Sequence, residues 1–254
     1  IAEGLAPGRW YHYRFIAPDG QASHIGRTRT LPDGDTDSFR LAVFSCANGT
    51  SGWFNAYAHA AARDDIDLAI HTGDYIYESP LTRADAQPGI AAQRALAPLH
   101  EIVTRADYRQ RYASYRLDPD LAELHRRLPM IAVWDDHETA NNSWRNGASA
   151  HNPTTEGPWT ARRAAGMRVW REWMPVRGDW YGSHRIGNLA RRKETKRFPP
   201  DGANNDRVCC PVRQCSTAWT LRHIPTQHRK HHAEEEHGEV EFRYGKCNDC
   251  ATDR

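Results

Sequence analysis

Three short segments concentrate side chains able to hold cations and move protons: "SCANG" at 45–49, "GDYIYE" at 73–78 and "WDDHETANN" at 134–142. Together they offer a thiol, phenols, several carboxylates, an imidazole and two amides. Hard carboxylate and phenolate oxygens beside one thiolate suit iron next to a harder ion such as calcium, better than the sulfur-rich tetrahedron of a structural zinc. Two cations a few ångströms apart can clamp a phosphoryl group, activate a water and stabilise the leaving oxygen. Taken singly, the residues have plainer uses. Cys46 fits a small core hydrophobe, Asp74 a turn or cap residue, and His137 a satisfied histidine. Tyr75 and Tyr77 share a parity, so only the backbone decides which of them faces the site. The set is harder to explain away, because consecutive acids Asp135 and Asp136 directly after an apolar run repel one another unless a cation lies between them or one turns aside.

The elements that must carry these segments follow from hydrophobic period. "FRLAVFS" reads as a strand, "GWFNAYAHAAARD" as a helix and "IDLAIHTG" as a second strand, a βαβ unit whose sheet is parallel. "TRADYRQRYASYRLDPDLAELHRRL" is two helices broken near "LDPD", where Asp118 can cap the second and Pro119 open it. "PMIAVWDDHE" is a third buried strand ending in charge, and "GPWTARRAAGMRVWREWMP" an amphipathic helix stopped by Pro175. "SPLTRADAQPG" reads as a polar loop and "YGSHRIGNLA" as the start of a further strand. All three loaded segments follow strands, and ligands of open parallel sheets gather beyond the strands' carboxyl ends. Upstream, alternation from Trp10 and the turn "APDGQ" predict a β-hairpin, with Leu5, Pro7 and Tyr11 spaced as in a tyrosine corner.

The 254 residues suffice for a sizeable core, and a net charge of +2 with interspersed signs gives no nucleic-acid footprint. No run of 18 apolar residues is present to span a membrane. The chain opens "IAEGLAPG" without methionine, so a leader or domain lost upstream stays open. After Ala190 the periodicity stops: 13 of the 64 residues from 191 to 254 belong to the set AVILMFWY, among charge and histidine clusters. Such a stretch is expected to be largely disordered. Five of the six cysteines lie there, Cys209, Cys210, Cys215, Cys247 and Cys250, and an irregular zinc module is the alternative reading.

"SC", "HTGDYIYE", "DYRQRYASYRLDPDL" and "VWDDHETANN", in this order, resemble the PhoD family of alkaline phosphatases within the calcineurin-like metallophosphoesterases. The resemblance implies an α/β fold, part of a four-layer α/β/β/α sandwich at 39–190, preceded at 1–32 by the last strands of an immunoglobulin-like domain and followed by the tail at 191–254. It implies hydrolysis of phosphate mono- and diesters by a hydroxide activated on a dinuclear site of iron (Fe3+) and calcium (Ca2+). By this likeness Asp74 bridges both metals, Tyr77 and Cys46 ligate iron, Asp136 ligates the second metal, Asn141 and Asn142 support it, and His137 touches phosphate and protonates the leaving oxygen. A monomeric, periplasmic or secreted enzyme of small, lipid or nucleotide phosphate esters follows from the same likeness, with no nucleic-acid partner. The family's later "GDxH" segment has no counterpart here. This implies a chain truncated or frameshifted after about residue 190, with a non-catalytic remnant as the alternative.

Overall fold

Caps and turn residues set most of the element boundaries. The computed structural model describes residues 2–81, 90, 93, 94 and 96–176, and the backbone of two later strands, 219–224 and 238–244. Strands β1 (Trp10–Ile16) and β2 (Gly26–Arg29) form the expected antiparallel hairpin, with Tyr11 opposite Thr28. Tyr11 is buried, and its hydroxyl accepts the Ala6 N–H at 2.8 Å, which ties the preceding turn to the strand as the Leu5, Pro7, Tyr11 spacing predicts.

The parallel unit follows in the expected order. It comprises β3 (Leu41–Phe44), α1 (Asn55–Ala61), β4 (Leu68–His71), α2 (Arg105–Arg116), α3 (Pro119–Arg127) and β5 (Met130–Ala132). The three strands pair in parallel in the order β3-β4-β5, with Val43 beside Ile70 and Ile70 beside Ile131. Asp118 separates the two middle helices: its Oδ1 accepts the N–H groups of Asp120 and Leu121, each at 3.1 Å. Pro119 then occupies the first turn, where an N–H would lack a helical partner anyway. Thr104 and Asp107 close a capping box at the head of α2.

A small hairpin, β6 (Ser143–Trp144) and β7 (Gly147–Ala148), and a single turn of helix, α4 (Pro153–Glu156), lead into α5 (Trp159–Trp173), which ends just before Pro175. Gly166 lets α5 approach the third loaded segment closely, since a Cβ there would stand 2.7 Å from the Glu138 carbonyl oxygen. No described helix is long and apolar enough to cross a membrane.

One face of the parallel sheet is covered, and the other is exposed at β3 among the described residues. Ala69, His71 and Ala132 are fully buried beneath α1, α2 and α3, where Phe44 and His71 meet Tyr57 and Tyr75. On the opposite face Leu41 is 48% exposed and Val43 61%.

Within the tail the structure describes two strands. Strand β9 (Gly238–Tyr244) pairs in parallel with β1, and β8 (Trp219–Ile224) pairs antiparallel with β9, giving a sheet in the order β2-β1-β9-β8. "GEVEFRY" alternates apolar and charged residues over seven positions, a run too short to lift the stretch's average, and the free edge of β1 supplies the backbone template it needs. The tail cysteines, "YGSHRIGNLA" and most of the polar loop lie outside the described residues.

Candidate metal centre

The three loaded segments meet at the carboxyl end of the sheet because their backbones are tied together there. Beyond β3, Cys46 N–H donates to the Gly73 carbonyl (3.3 Å) and Ala47 N–H to the Asp74 carbonyl (2.8 Å), which joins the first segment to the second. Gly73 has φ 119°, and a Cβ there would stand 2.5 Å from the Asp135 Cβ, so the third segment packs directly on that glycine. Cys46, Asp74 and Asn142 are the positive-φ residues other than glycine, at 57°, 53° and 52° among the described residues. A left-handed backbone at a non-glycine residue costs about 1 kcal/mol and persists only where surrounding contacts impose it. All three lie in the loaded segments.

Asp74 stands between two sets of donors. Its Oδ2 is 3.4 Å from the Cys46 Sγ, which is exposed, and its Oδ1 accepts the His137 N–H at 3.4 Å. Ligand atoms of Asp74, Asp136 and His137 all lie within 4.8 Å of one another. The backbone also settles the tyrosines. Tyr75 turns inward, fully buried, its hydroxyl 2.7 Å from His125 Nε2 and its ring stacked on Tyr112. Tyr77 turns to the site, half-buried beside Cys46, its ring stacked on His137 with centroids 4.0 Å apart. Asn141 joins through its backbone, its N–H donating to Glu78 Oε1 at 2.6 Å, and Asn142 donates its N–H to Asp136.

Two glutamates that the sequence reading passed over hold this arrangement. Glu78, with no exposed surface, places Oε2 2.6 Å from His137 Nδ1. Glu138, equally buried, accepts the N–H groups of Tyr75 (2.7 Å), Asp74 (3.1 Å) and Asp135 (2.6 Å). Glu78 closes the second segment and Glu138 lies inside the third, and a glutamate in a polar loop ordinarily reads as solvated. The available signal was adjacency: each directly follows a predicted site residue, Tyr77 and His137.

The electrostatics are those of a site short of positive charge. Burial pushes the Asp74 carboxyl above its usual range, with neighbouring Asp136 and Asp135 adding to it against the pull of His137. Burial lowers the His137 imidazole, but Glu78, Asp74 and Asp136 outweigh it and hold the ring above its ordinary value. Desolvation pushes Glu138 up to about 7 despite its three N–H donors. Burial, then Asp74 and Cys46, raise the Tyr77 phenol.

A family model described as PhoD-like phosphatase matches residues 41–192, the parallel unit together with all three loaded segments. The chain belongs to the PhoD-like phosphatase family. It is similar to alkaline phosphatase D of Bacillus subtilis (strain 168), 34% identical over 218 residues that make up 81% of this chain and 36% of the relative. It is also similar to a solved structure of PhoD, with a TM-score of 0.60 and 33% identity, covering 68% of this chain and 32% of that one. The chain thus spans about a third of the length of these relatives.

As a PhoD-like site, the donor set fits a cation. Asp74 and Asp136 bring carboxylate oxygens within 4.8 Å of each other and of a His137 ring nitrogen, and Asp74 is raised first by burial and then by Asp136 and Asp135, a combination that a bound cation would relieve. The soft thiol of Cys46 meets one oxygen of Asp74, and the Tyr77 phenol lies beside Cys46 with its ring stacked on His137.

Proposed function

We propose that this PhoD-like chain carries the metal- and phosphate-binding part of a phosphoesterase acting on phosphate mono- and diesters at a dinuclear site of iron and calcium. The observation that carries the reading is Asp74, whose two carboxylate oxygens face different donor sets, Cys46 on one side and the His137 and Asp136 segment on the other. Cys46, Tyr77 and Asp74 would hold iron; Asp74, Asp136 and Asn141 would hold calcium. When bound, the pair supplies Lewis acidity at the phosphoryl oxygens and an attacking water of lowered pKa. Phosphate mono- and diesters, small, lipid or nucleotide, are the substrate class.

The chain's own residues do the rest. A carboxylate only accepts, so Glu78 fixes the proton of His137 on Nδ1 and leaves Nε2 to face the ester. Held above its ordinary pKa, the imidazolium donates its Nε2 proton to the leaving oxygen as the P–O bond breaks. The Tyr77 ring, stacked on the imidazole, keeps it in that orientation. Because the Tyr77 phenol is raised, it would ligate only with its proton displaced to solvent, so loading that position would release a proton.

The open face at Leu41 and Val43 supports the four-layer sandwich, in which a second sheet packs on it. The hairpin with its Tyr11 hydroxyl contact supports a preceding immunoglobulin-like domain at 1–32, with the phosphatase domain at 39–190 and the tail at 191–254. A monomer exported to the periplasm or the cell exterior agrees with the family likeness.

Hydrolysis of a chromogenic phosphate monoester and of its bis-ester, with iron and calcium supplied, tests the reading. Turnover that Asp74→Asn reduces at least about 1000-fold is expected, since the substitution removes the shared charge. Equal turnover by both chains overturns it. Asp74-dependent metal binding without turnover assigns the chain to the remnant reading instead.

A further inference from the structure

Glu138 is a buried carboxylate held by neutral dipoles: among the described residues no arginine, lysine or histidine pairs with it, and its oxygens are met by three backbone N–H groups. Those groups come from two segments. Oε1 accepts Tyr75 N–H at 2.7 Å, while Oε2 accepts Asp74 N–H at 3.1 Å and Asp135 N–H at 2.6 Å. The successive N–H groups of Asp74 and Tyr75 converge on Glu138 from a turn in which Gly73 has φ 119° and Asp74 φ 53°. Glu138 meets that turn from inside the protein.

We propose that Glu138 is a positioning residue that holds Asp74 in its left-handed conformation and so aims the Asp74 carboxylate outward between the two donor sets. The inference rests on the metal-site reading above and adds to it the residue that builds the site in advance of any cation. With its backbone N–H committed inward, Asp74 presents its carboxylate outward, toward Cys46 and toward His137. The Glu138 carboxylate also ties Asp135 to the turn, which fixes the spacing of the second and third segments. Glu138 is itself immobilised from behind. Tyr108 of α2 donates its hydroxyl to the Thr139 carbonyl, Thr139 and Ala140 N–H both donate to the Asp136 carbonyl at 2.8 Å, and α5 backs onto the Glu138 carbonyl at Gly166.

Glu138→Gln puts an amide NH2 against at least one backbone donor. Glu138→Asp keeps the charge but is one methylene too short to reach all three N–H groups. If Glu138 acted only through its charge, the aspartate variant would behave as wild type. Titration of the full chain with Mn2+ alone, for wild type, Asp74→Asn, Glu138→Asp and Glu138→Gln, separates these cases, with thermal unfolding run alongside. Affinity falling about 10–100-fold in both Glu138 variants, with folding retained, is expected of a residue that orients a ligand. Wild-type affinity in Glu138→Asp overturns the proposal.

Hydrogen exchange supplies a second reading. In the wild-type chain the amides of Asp74, Tyr75 and Asp135, outside any helix or strand, should exchange slowly, and fast exchange there overturns the proposal even if the variants do not fold. In folded variants the loss of protection should be confined to those amides while Tyr112 and Leu124 keep theirs. Unchanged protection at Asp74 and Tyr75 also overturns it. Mn2+ binding that is indifferent to Asp74→Asn defeats the metal-site reading instead, and the exchange experiment still decides the role of Glu138.

Discussion

The two sides of Asp74 are built differently. On the His137 side buried glutamates stand behind the polar groups: Glu78 beneath His137 and Asn141, and Glu138 beneath Asp135 and the turn at Asp74 and Tyr75. On the Cys46 side the thiol is exposed and is held by the backbone contacts of residues 46 and 47 to the second segment. Rigidity in a site comes from the groups behind the donors, and only one side has them in depth. The first side therefore resembles a socket shaped before its cation arrives, and the second a ligand delivered to its rim.

The largest effect should come from the shared hinge. Gly73→Ala sets a Cβ against Asp135 at 2.5 Å and demands φ 119° of an alanine, so it should lose about 3 kcal/mol and also detach the third segment. Chemical unfolding measures the first loss, and loss of Asp136-dependent metal binding the second. An alanine variant of wild-type stability would mean that the two sides do not share this pivot.

Acid should undermine the socket from below. Burial pulls His71 down from 6.5 to about 4 and holds His125 well under its ordinary value, so both are neutral when folded and gain protons on unfolding. A group with a lowered folded pKa loses stability as pH falls, here between 6.5 and 4. Glu138 and Asp74, raised, work in the opposite sense, so the histidine contribution has to be isolated by difference. The stability advantage of wild type over His71→Gln should shrink by on the order of 3 kcal/mol from pH 7 to pH 4. A pH-independent difference would show that His71 takes up its proton in the fold.

Glu78→Gln tests the socket at one residue. It should lower kcat about 10–100-fold with KM little changed, and move the basic limb of the rate profile to lower pH, because the imidazolium loses its main stabiliser. An unmoved profile would remove Glu78 from the proton's path. The smallest effect is expected at the rim. Cys46→Ser keeps a donor on the same strained backbone and should weaken iron binding by about tenfold, while leaving calcium affinity and thermal stability near wild type. Equal losses for both metals would erase the distinction between the two sides.

Much of this architecture was legible residue by residue. Asp118 and Pro119 announce a helix start because capping depends on neighbours two and three positions away, and the apolar runs of β3, β4 and β5 announce parallel strands. The two tail strands escaped because a seven-residue alternation is weak until another strand's edge completes it. Glu78 and Glu138 escaped because the partners that define their roles, His137 and Tyr75, lie 59 and 63 residues away in the chain, beyond any local pattern.

The kinds of donor, their order and their delivery to strand ends are properties of the sequence itself, since period and capping are local. Which tyrosine faces the site, which oxygen of Asp74 faces Cys46, and which glutamate is buried beneath were decided only by tertiary structure. Those choices depend on positive-φ turns at Cys46, Gly73, Asp74 and Asn142 that contacts from distant segments impose, and the chain would not adopt them alone.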